Sequence, residues 1–589
     1  MVPNPHTGLV SYHVLVGDGA TLSAANELPN TIAVSHIEVV HEIDRISEAI
    51  LTILDGNVAT AEFAVSDSDT FVPGKHVEVK LGFDRDSQTV FKGIIVSIRH
   101  TIRGGTSRLR VACKHEAVKL TVGKKSRHYE SMSDSDLIGN VLADSGLRQV
   151  AVAHTSVIHE QLLQAQVSDW DFILSRADSN GLHCFAGPDG VAIKAVDASA
   201  DATVDLRYGR DIFELDTELD ARRQHTALET FTWNYTDQEV QPVSGEGDSA
   251  GGHGRLTVGE LAQVAGQPYE MRSSVPLTNA EQQGLANAKK ARQVRSKIKG
   301  TVKFPGNAPV VPGSFINIEG VGAHFNGKAF VAAVVHHVED GSWFTTAELG
   351  GDERFFAERV RPDLVPAAHG TISYMEGLQV GVVTDIIDPK GEGRVKIFFP
   401  VIEATSEGIF ARVATLDAGN GRGTFFRPEI GDEVVAGFVD GDARHPVIIG
   451  MLHSSAKPTP YNAADDNNEK GYVSRDGVKI TINDGDKSIV IETPGGRHVT
   501  LDDNAGEIVI DDGQNSMVMD SSGIVVKTSG DLLLEATGKI GLKAMELAME
   551  ANGSAELKSS GTVTIDGGAT AKVKGGGMVD IQGSIVKIN

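Results

Sequence analysis

Three short patterns contain residue types that could bind a metal ion. His336 and His337 lie in an apolar, β-branched run, 331–338, that predicts a strand. Because neighbouring side chains of a strand point to opposite faces, the two imidazoles cannot bind one ion together, although a single one could contribute a ligand. The acidic segments 502–504 and 511–513 lack the spacing of an EF-hand loop, so they are interpreted as solvated turns.

The remaining patterns do not specify an enzyme. The glycine-rich segment 419–423 lacks the GK[ST] ending and the following helix of a phosphate-binding loop, which favours a surface turn. His445 precedes Pro446 in a predicted turn and is interpreted as a packing residue rather than a base. Carboxylates are numerous, but nothing in the sequence assigns two of them to one pocket. We therefore predict no catalytic residue, no cofactor site and no metal site.

A polar helix is predicted over 278–298, with a start at Asn279 and Glu281. Its basic residues are Lys289, Lys290, Arg292, Arg295 and Lys297. These residues could form a basic docking face, but an ordinary solvated face is an equally good interpretation. The sequence leaves both alternatives open.

Length and composition restrict the class of protein. A chain of 589 residues is long enough for several domains, and its 65 glycines indicate a turn-rich, mainly β protein. The net charge of −25 argues against a nucleic-acid partner, because phosphate binding requires clustered Lys and Arg. The two cysteines, Cys113 and Cys184, do not provide a disulfide framework. With no signal-peptide pattern and no apolar run long enough for a membrane helix, we expect a soluble protein made in the cytoplasm.

Changes in periodicity divide the chain into two β regions separated by an α/β insertion, a small barrel, a linker and a C-terminal solenoid. The bounds are 1–120 (first β region), 121–200 (insertion), 201–365 (second β region), 371–455 (barrel), 456–475 (linker) and 476–589 (solenoid). Five short strands are predicted in the barrel, which suits a small barrel of the OB type.

The C-terminal segment repeats with a period of eight residues from about Ser522. Each unit has a short apolar-x-apolar strand followed by a turn that usually contains glycine, which is typical of a β-solenoid. The residues predicted to point inward are Val526, Leu534, Leu542, Leu557, Ile565, Val573 and Ile581. One chain cannot bury so thin a core by itself, and we therefore favour three chains wound into an intertwined β-helix.

Three segments resemble the VgrG spike proteins of type VI secretion and related contractile injection systems. Segments 71–79 and 168–181 resemble the phage-hub-like N-terminal half of this family. The most specific match is the barrel motif formed by Pro428, Gly431, Gly441, Asp442, Pro446 and Gly450. The resemblance implies two hub β-barrel parts, an OB-fold barrel and a triple-stranded needle in a homotrimer.

The same resemblance implies a non-enzymatic central spike that joins the inner tube and baseplate to a membrane-piercing needle. Its partners would be inner-tube and baseplate proteins, a PAAR-like tip protein and, transiently, the target membrane; some family members also carry effector cargo. The tip protein would dock at Ile585, Val586, Ile588 and Asn589. Such a spike would be assembled in the bacterial cytoplasm as part of an injection particle and then delivered outside or into a target cell.

Two other functions compete with this interpretation. The first is a cell-wall-degrading spike enzyme with its site in the 121–200 insertion. Phage spikes can carry a lysozyme domain between barrel and needle, but here only the short linker occupies that place. The second is a polysaccharide-binding trimeric fibre, and this is disfavoured because no Phe, Tyr or Trp follows Tyr472. The sequence does not distinguish type VI, extracellular-particle and phage-like machines.

Overall fold

The structure is a computed structural model that describes residues 8–84, 86–234, 239–247, 253–273, 275–360, 375, 377–400 and 407–588. The chain divides into two compact units, 1–457 and 458–589. The first unit contains the helices α1 (Asp134–Asp144), α2 (Asp169–Ser179), α3 (Val258–Ala262), α4 (Asn279–Arg295) and α5 (Phe356–Val360). Among the residues that the structure describes, every helix is too short or too polar to cross a lipid bilayer.

The strands of the first unit that precede its barrel are numbered in chain order. They are β1 (Val10–Gly17), β2 (Val34–Glu42), β3 (Glu48–Leu54), β4 (His76–Phe83), β5 (Asp86–Arg103), β6 (Thr106–Lys114), β7 (Lys125–Ser133), β8 (Gln149–Val152), β9 (Ile158–Val167), β10 (His183–Gly187), β11 (Gly190–Lys194), β12 (Val204–Arg207), β13 (Glu214–Leu219), β14 (Leu228–Asn234), β15 (Glu239–Ser244), β16 (Tyr269–Ser273), β17 (Ile298–Pro305), β18 (Phe315–Glu319), β19 (Gly327–Glu339) and β20 (Ser342–Leu349).

One large sheet joins the two β regions of the sequence. Its main path runs β1-β4-β5-β6-β3-β2-β19-β20-β17-β13, and the antiparallel pair β2–β19 is the seam between the regions. Alternate residues of these strands face the interior, as period-two patterns predict. The core of the first region, which includes Leu51, Phe91 and Val111, also contains Val338 and Trp343 from the far side of the seam. The two regions therefore fold as one body.

The segment between the two β regions contains α1 and α2 with strands β7–β11. Strands β7 and β9 form an antiparallel pair, and β10, β11 and β8 form a small mixed sheet. Ser133 and Ser168 cap the two helices, because their hydroxyls accept hydrogen bonds from the backbone N–H groups of Asp136 and Asp171. Serine caps of this kind are the signal that predicts both helix starts from the sequence.

The strands of the barrel are β21 (Gln379–Asp385), β22 (Val395–Phe398), β23 (Ile409–Val413), β24 (Ala418–Gly419), β25 (Arg422–Gly423), β26 (Glu433–Phe438) and β27 (Pro446–Met451). Five of them close in the order β21-β22-β23-β27-β26, which confirms the predicted five-stranded barrel. The short hairpin β24–β25 contains the glycine-rich segment 419–423, which is a turn and not a phosphate loop. Ile397, Ala411, Val434 and Ile448 are among the buried core residues.

The second unit begins with a seven-stranded antiparallel meander. Its strands are β28 (Glu469–Val473), β29 (Lys479–Asn483), β30 (Ser488–Glu492), β31 (His498–Asp502), β32 (Glu507–Asp511), β33 (Ser516–Asp520) and β34 (Gly523–Lys527), each paired with the next. Strand β28 lies within the predicted linker 456–475, so the regular structure starts earlier than expected. Residues 528–588, all of them described, contain no assigned strand. The predicted β-helix consists of three chains and therefore remains a prediction.

Two buried histidines at the seam generate a prediction about acid stability. Burial lowers the pKa of His41 to about 4 and that of His336 to about 3. The unfolded chain binds protons at these side chains below about pH 6.5, whereas the folded chain does so only near pH 3–4. Their contribution is therefore complete above pH 6.5 and is lost as the pH falls towards 4. Acidification from pH 8 to 5 should cost roughly 2 kcal/mol of unfolding free energy per histidine.

The measurement is thermal unfolding at pH 8, 6.5 and 5. His336→Phe removes one titrating group and should reduce the acid-induced drop in the unfolding midpoint. His154 is exposed, so His154→Ala should retain the drop of the unmodified protein. The same drop in both variants would contradict the assignment.

Candidate functional site

The barrel motif predicted from the sequence consists of turns and of a buried carboxylate. Gly431 and Gly441 have φ values of +86° and +71°, which residues with a side chain rarely adopt. The Gly431 N–H donates a 2.8 Å hydrogen bond to the Val383 carbonyl and so joins this turn to β21. Pro428 and Pro446 are buried, and Pro446 opens β27. A Cβ at the remaining motif residue, Gly450, would meet open space, so packing does not explain that glycine.

Asp442, the charged residue of the motif, belongs to a buried ion network. It is 2% exposed and accepts hydrogen bonds from Arg444, with Nη2–Oδ2 at 2.8 Å. The same guanidinium contacts Glu281 of α4, with Nη1–Oε1 at 2.6 Å. Burial alone would raise the pKa of both carboxyls, but Arg444 holds the pKa of each below its usual range. One arginine therefore links the barrel to a helix that precedes it in the chain.

The network continues from Glu281 into the segment that contains α1 and α2. His159 places Nδ1 3.5 Å from Glu281 Oε1 and Nε2 3.1 Å from Asp134 Oδ2. Arg176 of α2 donates two hydrogen bonds to Asp134, at 2.5 and 2.9 Å. Burial would raise the pKa of Asp134, but Arg176 and His159 hold it well below its usual range. These acidic and basic groups are paired with one another inside the protein, which is the arrangement of a structural network rather than of an open catalytic site.

Helix α4 matches neither alternative that its sequence leaves open. Its basic residues form neither an exposed docking face nor an ordinary solvated face. Lys289 and Arg292 are 6% and 4% exposed. Lys289 donates to both carboxylate oxygens of Glu358 in α5, at 2.9 and 2.6 Å. Arg292 contacts Asp178 of α2 and lies 3.6 Å from Asp44 at the end of β2. The charged residues of α4 therefore bind its neighbours within the chain.

The sheet of the second unit carries a continuous apolar stripe on one face. Cross-strand register pairs apolar residues from β29 to β34: Ile480 faces Ile491, for example, and Leu501 faces Ile508. We call this stripe the apolar ladder. Its members are Ile480, Ile482, Ile489, Ile491, Val499, Leu501, Ile508, Ile510, Met517, Met519, Ile524 and Val526. Most of its isoleucine, leucine and valine side chains are 39–68% exposed, so the chain alone does not cover them.

The residues predicted as the needle core are also uncovered. Val526 is a member of the apolar ladder in β34, whereas the other six lie in the segment without strands. Exposures in the single chain are 46% for Val526, 65% for Leu534, 66% for Leu542, 73% for Leu557, 77% for Ile565, 80% for Val573 and 68% for Ile581. The predicted docking residues Ile585, Val586 and Ile588 are exposed as well, and Asn589 lies outside the described residues. A core role for these residues therefore remains a prediction that requires other chains.

Two family models match this architecture. The model of the Alg8 N-terminal domain matches residues 12–340, which is more than half of the chain. The model of the type VI secretion system/phage-baseplate injector OB domain matches residues 379–453, the five-stranded barrel. The chain belongs to the VgrG and phage-baseplate hub-spike family of contractile injection systems. The resemblance found in the sequence is thereby confirmed.

Individual VgrG relatives match over short stretches. The spike protein VgrG3 of Vibrio cholerae is 29% identical over 118 residues, which is 18% of this chain and 11% of that protein. VgrG1c of Pseudomonas aeruginosa is 30% identical over 147 residues, which is 22% of this chain and 20% of that protein. These matches thus span about a tenth and a fifth of the length of the two curated relatives.

Solved structures extend the likeness to most of the chain. A chain of the lidded Francisella PdpA-VgrG complex aligns with 89% of this chain and 80% of its own length, with a TM-score of 0.53 and 10% identity. A chain of the lidless PdpA-VgrG complex aligns with 88% of this chain and 98% of its own length, with the same TM-score and identity. At this identity the likeness shows the fold alone.

Sequence reasoning on this VgrG-family chain found the barrel motif and assigned 476–589 to the solenoid, but it named none of the ladder residues before Ile524 as inward-facing. The signal was present, because apolar-x-apolar triplets recur at Ile480, Ile489, Val499 and Ile508. The inward residues were instead predicted from the later repeat, whose period is regular. In the barrel, the apolar Ile449 of β27 is 52% exposed, because a register shift lies between β26 and β27 at that point.

Arg444 provides the test of the ion network. Arg444→Met should leave the carboxylates of Asp442 and Glu281 buried without their partner and destabilise the hub by roughly 3–5 kcal/mol. The matched control is Arg422→Met, because the Arg422–Asp417 pair is 69% and 55% exposed. Loss of this exposed ion pair should lower the free energy of unfolding by less than about 0.5 kcal/mol. Urea or thermal unfolding measures both variants, and equal effects would show that the network does not hold the barrel in place.

Proposed function

We propose that this chain is the central spike of a contractile injection machine and acts as a homotrimer whose second unit forms the needle. The observation that carries the proposal is the apolar ladder. A sheet with one uncovered apolar face needs a second layer, and the chain does not supply one. Further copies of the same sheet are the simplest partner, since an identical apolar stripe is self-complementary in width and length.

The energetic argument favours association over a solvated needle. A half-exposed aliphatic side chain gains roughly 1 kcal/mol on complete burial, so the twelve residues of the ladder represent on the order of 10 kcal/mol per chain. The opposite face is mixed: Lys479, Glu492, Asp502 and Lys527 lie at strand ends, whereas threonine and valine, such as Thr500 and Val509, lie at strand centres. Because the ladder has the larger aliphatic side chains, this difference supports an arrangement in which the ladder faces an axis and the mixed face is in water. Three copies, as the family resemblance implies, would enclose the ladder as a prism.

The mechanism of such a spike is mechanical. The hub would cap the inner tube and join it to baseplate proteins, while the needle would concentrate the force of contraction on a small area of target membrane. Because closure of the sheets pairs or covers exposed edges, the needle would be stiff and would offer few edges for mispairing. No bond is made or broken in this function, which agrees with the paired state of the buried charged groups described above.

A separate PAAR-like tip protein would stack on residues 585–588, where Ile585, Val586 and Ile588 are uncovered. This partner, the baseplate, the effector cargo and the delivery of the particle from the bacterial cytoplasm into a target are proposals that follow from the family. These three apolar side chains are exposed and would therefore pack against the tip protein.

Leu501 tests the needle. Leu501→Asp would bring charges together at the proposed axis, where desolvation costs several kcal/mol per unpaired charge, and should abolish the trimer. Thr500→Asp is the matched control, because Thr500 is the neighbour in β31 and points to the opposite face. Light scattering after size-exclusion chromatography should give a trimer for the unmodified chain and the control. A trimer of the Leu501→Asp variant would refute the assignment of the ladder as the axis.

Deletion of the residues after Gly553 tests the tip. The shortened chain should keep its hub but no longer bind a purified PAAR-like protein in a pull-down. The double variant Ile585→Asp and Ile588→Asp should lose the tip while remaining a trimer, with Lys587→Gln as the control that keeps it. Retention of the tip by the shortened chain would place the docking site elsewhere.

A further inference from the structure

The outer face of the seam between β2 and β19 brings together two histidines and a glutamate. Register places Glu339 opposite His36, and His337 opposite Glu38. Because side chains two residues apart share a face, all four lie on one side of the sheet. One ligand atom from each of His36, His337 and Glu339 lies within 4.8 Å of the other two.

The geometry of these three side chains is close to that of a metal centre. The rings of His36 and His337 have centroids 4.4 Å apart and meet edge to face at 73°. His337 Nε2 lies 3.2 Å from Glu339 Oε2. A tetrahedral zinc ion with bonds of about 2.0–2.1 Å needs ligand atoms about 3.4 Å apart. Small rotations of these side chains, of which Glu339 is exposed and both histidines are half-buried, are sufficient to reach that spacing.

We propose that His36, His337 and Glu339 bind one divalent transition-metal ion, with Zn²⁺ as the ion that fits the ligand set best. Two imidazoles and one carboxylate are a ligand set that zinc accepts, and it leaves a fourth position open. Imidazole ligands also disfavour Mg²⁺ and Ca²⁺, which prefer oxygen. The site is independent of the proposed spike function.

The surroundings support binding of a cation. Glu38 adds a second carboxylate on the same face. A cleft of about 270 Å³, lined by Tyr12, Asp340 and both His36 and Glu339, adjoins the site. The cleft leaves room for water or an external ligand at the fourth position.

Such an ion would connect the two β regions of the hub at their seam, since His36 belongs to β2 and the other two ligands to β19. This differs from the sequence-based expectation of no metal site. The adjacent pair His336–His337 cannot chelate, as expected, because His336 is buried on the inner face and contacts Thr345. The partner of His337 comes from the neighbouring strand instead.

The test uses the untagged full-length protein after dialysis against EDTA. Titration with ZnCl₂ followed by calorimetry, and metal analysis after gel filtration, should give one bound Zn²⁺ per chain. Zn²⁺ should also raise the thermal unfolding midpoint, because the ion binds the folded seam and not the separated strands. Co²⁺ should give the visible absorption bands of a low-coordinate site.

His337→Ala should abolish the absorption bands of Co²⁺. Removal of a residue that only orients a ligand weakens metal binding roughly 10- to 100-fold. Because His337 is proposed as a ligand itself, its removal should weaken Zn²⁺ binding by more than that. Glu339→Gln tests the carboxylate with little change in shape and should weaken binding in the same direction. His154→Ala removes an exposed histidine outside the site and should bind like the unmodified protein. Binding that is unchanged in His337→Ala, or lost equally in His154→Ala, would overturn the proposal, as would a protein that retains no zinc and shows no rise in its unfolding midpoint.

Discussion

The buried charges of helix α4 are the constraint on which the arrangement of the hub depends. Glu281, Lys289 and Arg292 each bind a different neighbour: the barrel, α5 and α2. A buried ion pair contributes little net stability compared with apolar packing, but an unpaired buried charge is costly. The two elements that each pair joins are therefore held in one relative position, because any other position would leave a buried charge unpaired. In this way a single helix of 17 residues fixes the position of parts that are far apart in the sequence.

The two units meet the same requirement, burial of apolar surface, in different ways. The first unit encloses its own cores, in which residues such as Leu51, Val79 and Val434 are completely buried. The second unit is a single layer whose apolar ladder is about half-exposed. The first unit thus buries its cores within one chain, whereas the second unit would bury its ladder only against a further surface. In the proposed trimer, the stability of the second unit would therefore depend on chain concentration.

Local signals explain how much of this could be predicted from the sequence. The barrel was found because its motif depends on turns at Gly431 and Gly441 and on Pro446, whose backbone requirements are visible in the sequence itself. The helix starts have a local signal, because the side chains of Ser133, Ser168 and Thr278 each accept a hydrogen bond from a backbone N–H three residues later. The segment 528–588 was predicted to be regular from its period alone, but a period specifies which residues share a face and not what covers that face. The β-helix therefore remains a prediction.

The sites that sequence reasoning missed all depend on which strand or helix lies opposite. Because Arg292 lies in a polar helix, its sequence context predicts a surface residue. Only the packing of α2 against α4 places Asp178 beside it. The same holds for His337, whose neighbour in sequence is His336 but whose neighbour in space is His36. Register between β2 and β19 is set by burial of the inner face, where a shift of one residue would expose Val39 and Val338. The core therefore determines, on the opposite face, that two histidines and a glutamate meet. A surface site of this kind has no pattern of its own in the sequence, since it is a consequence of the apolar residues that alternate with it.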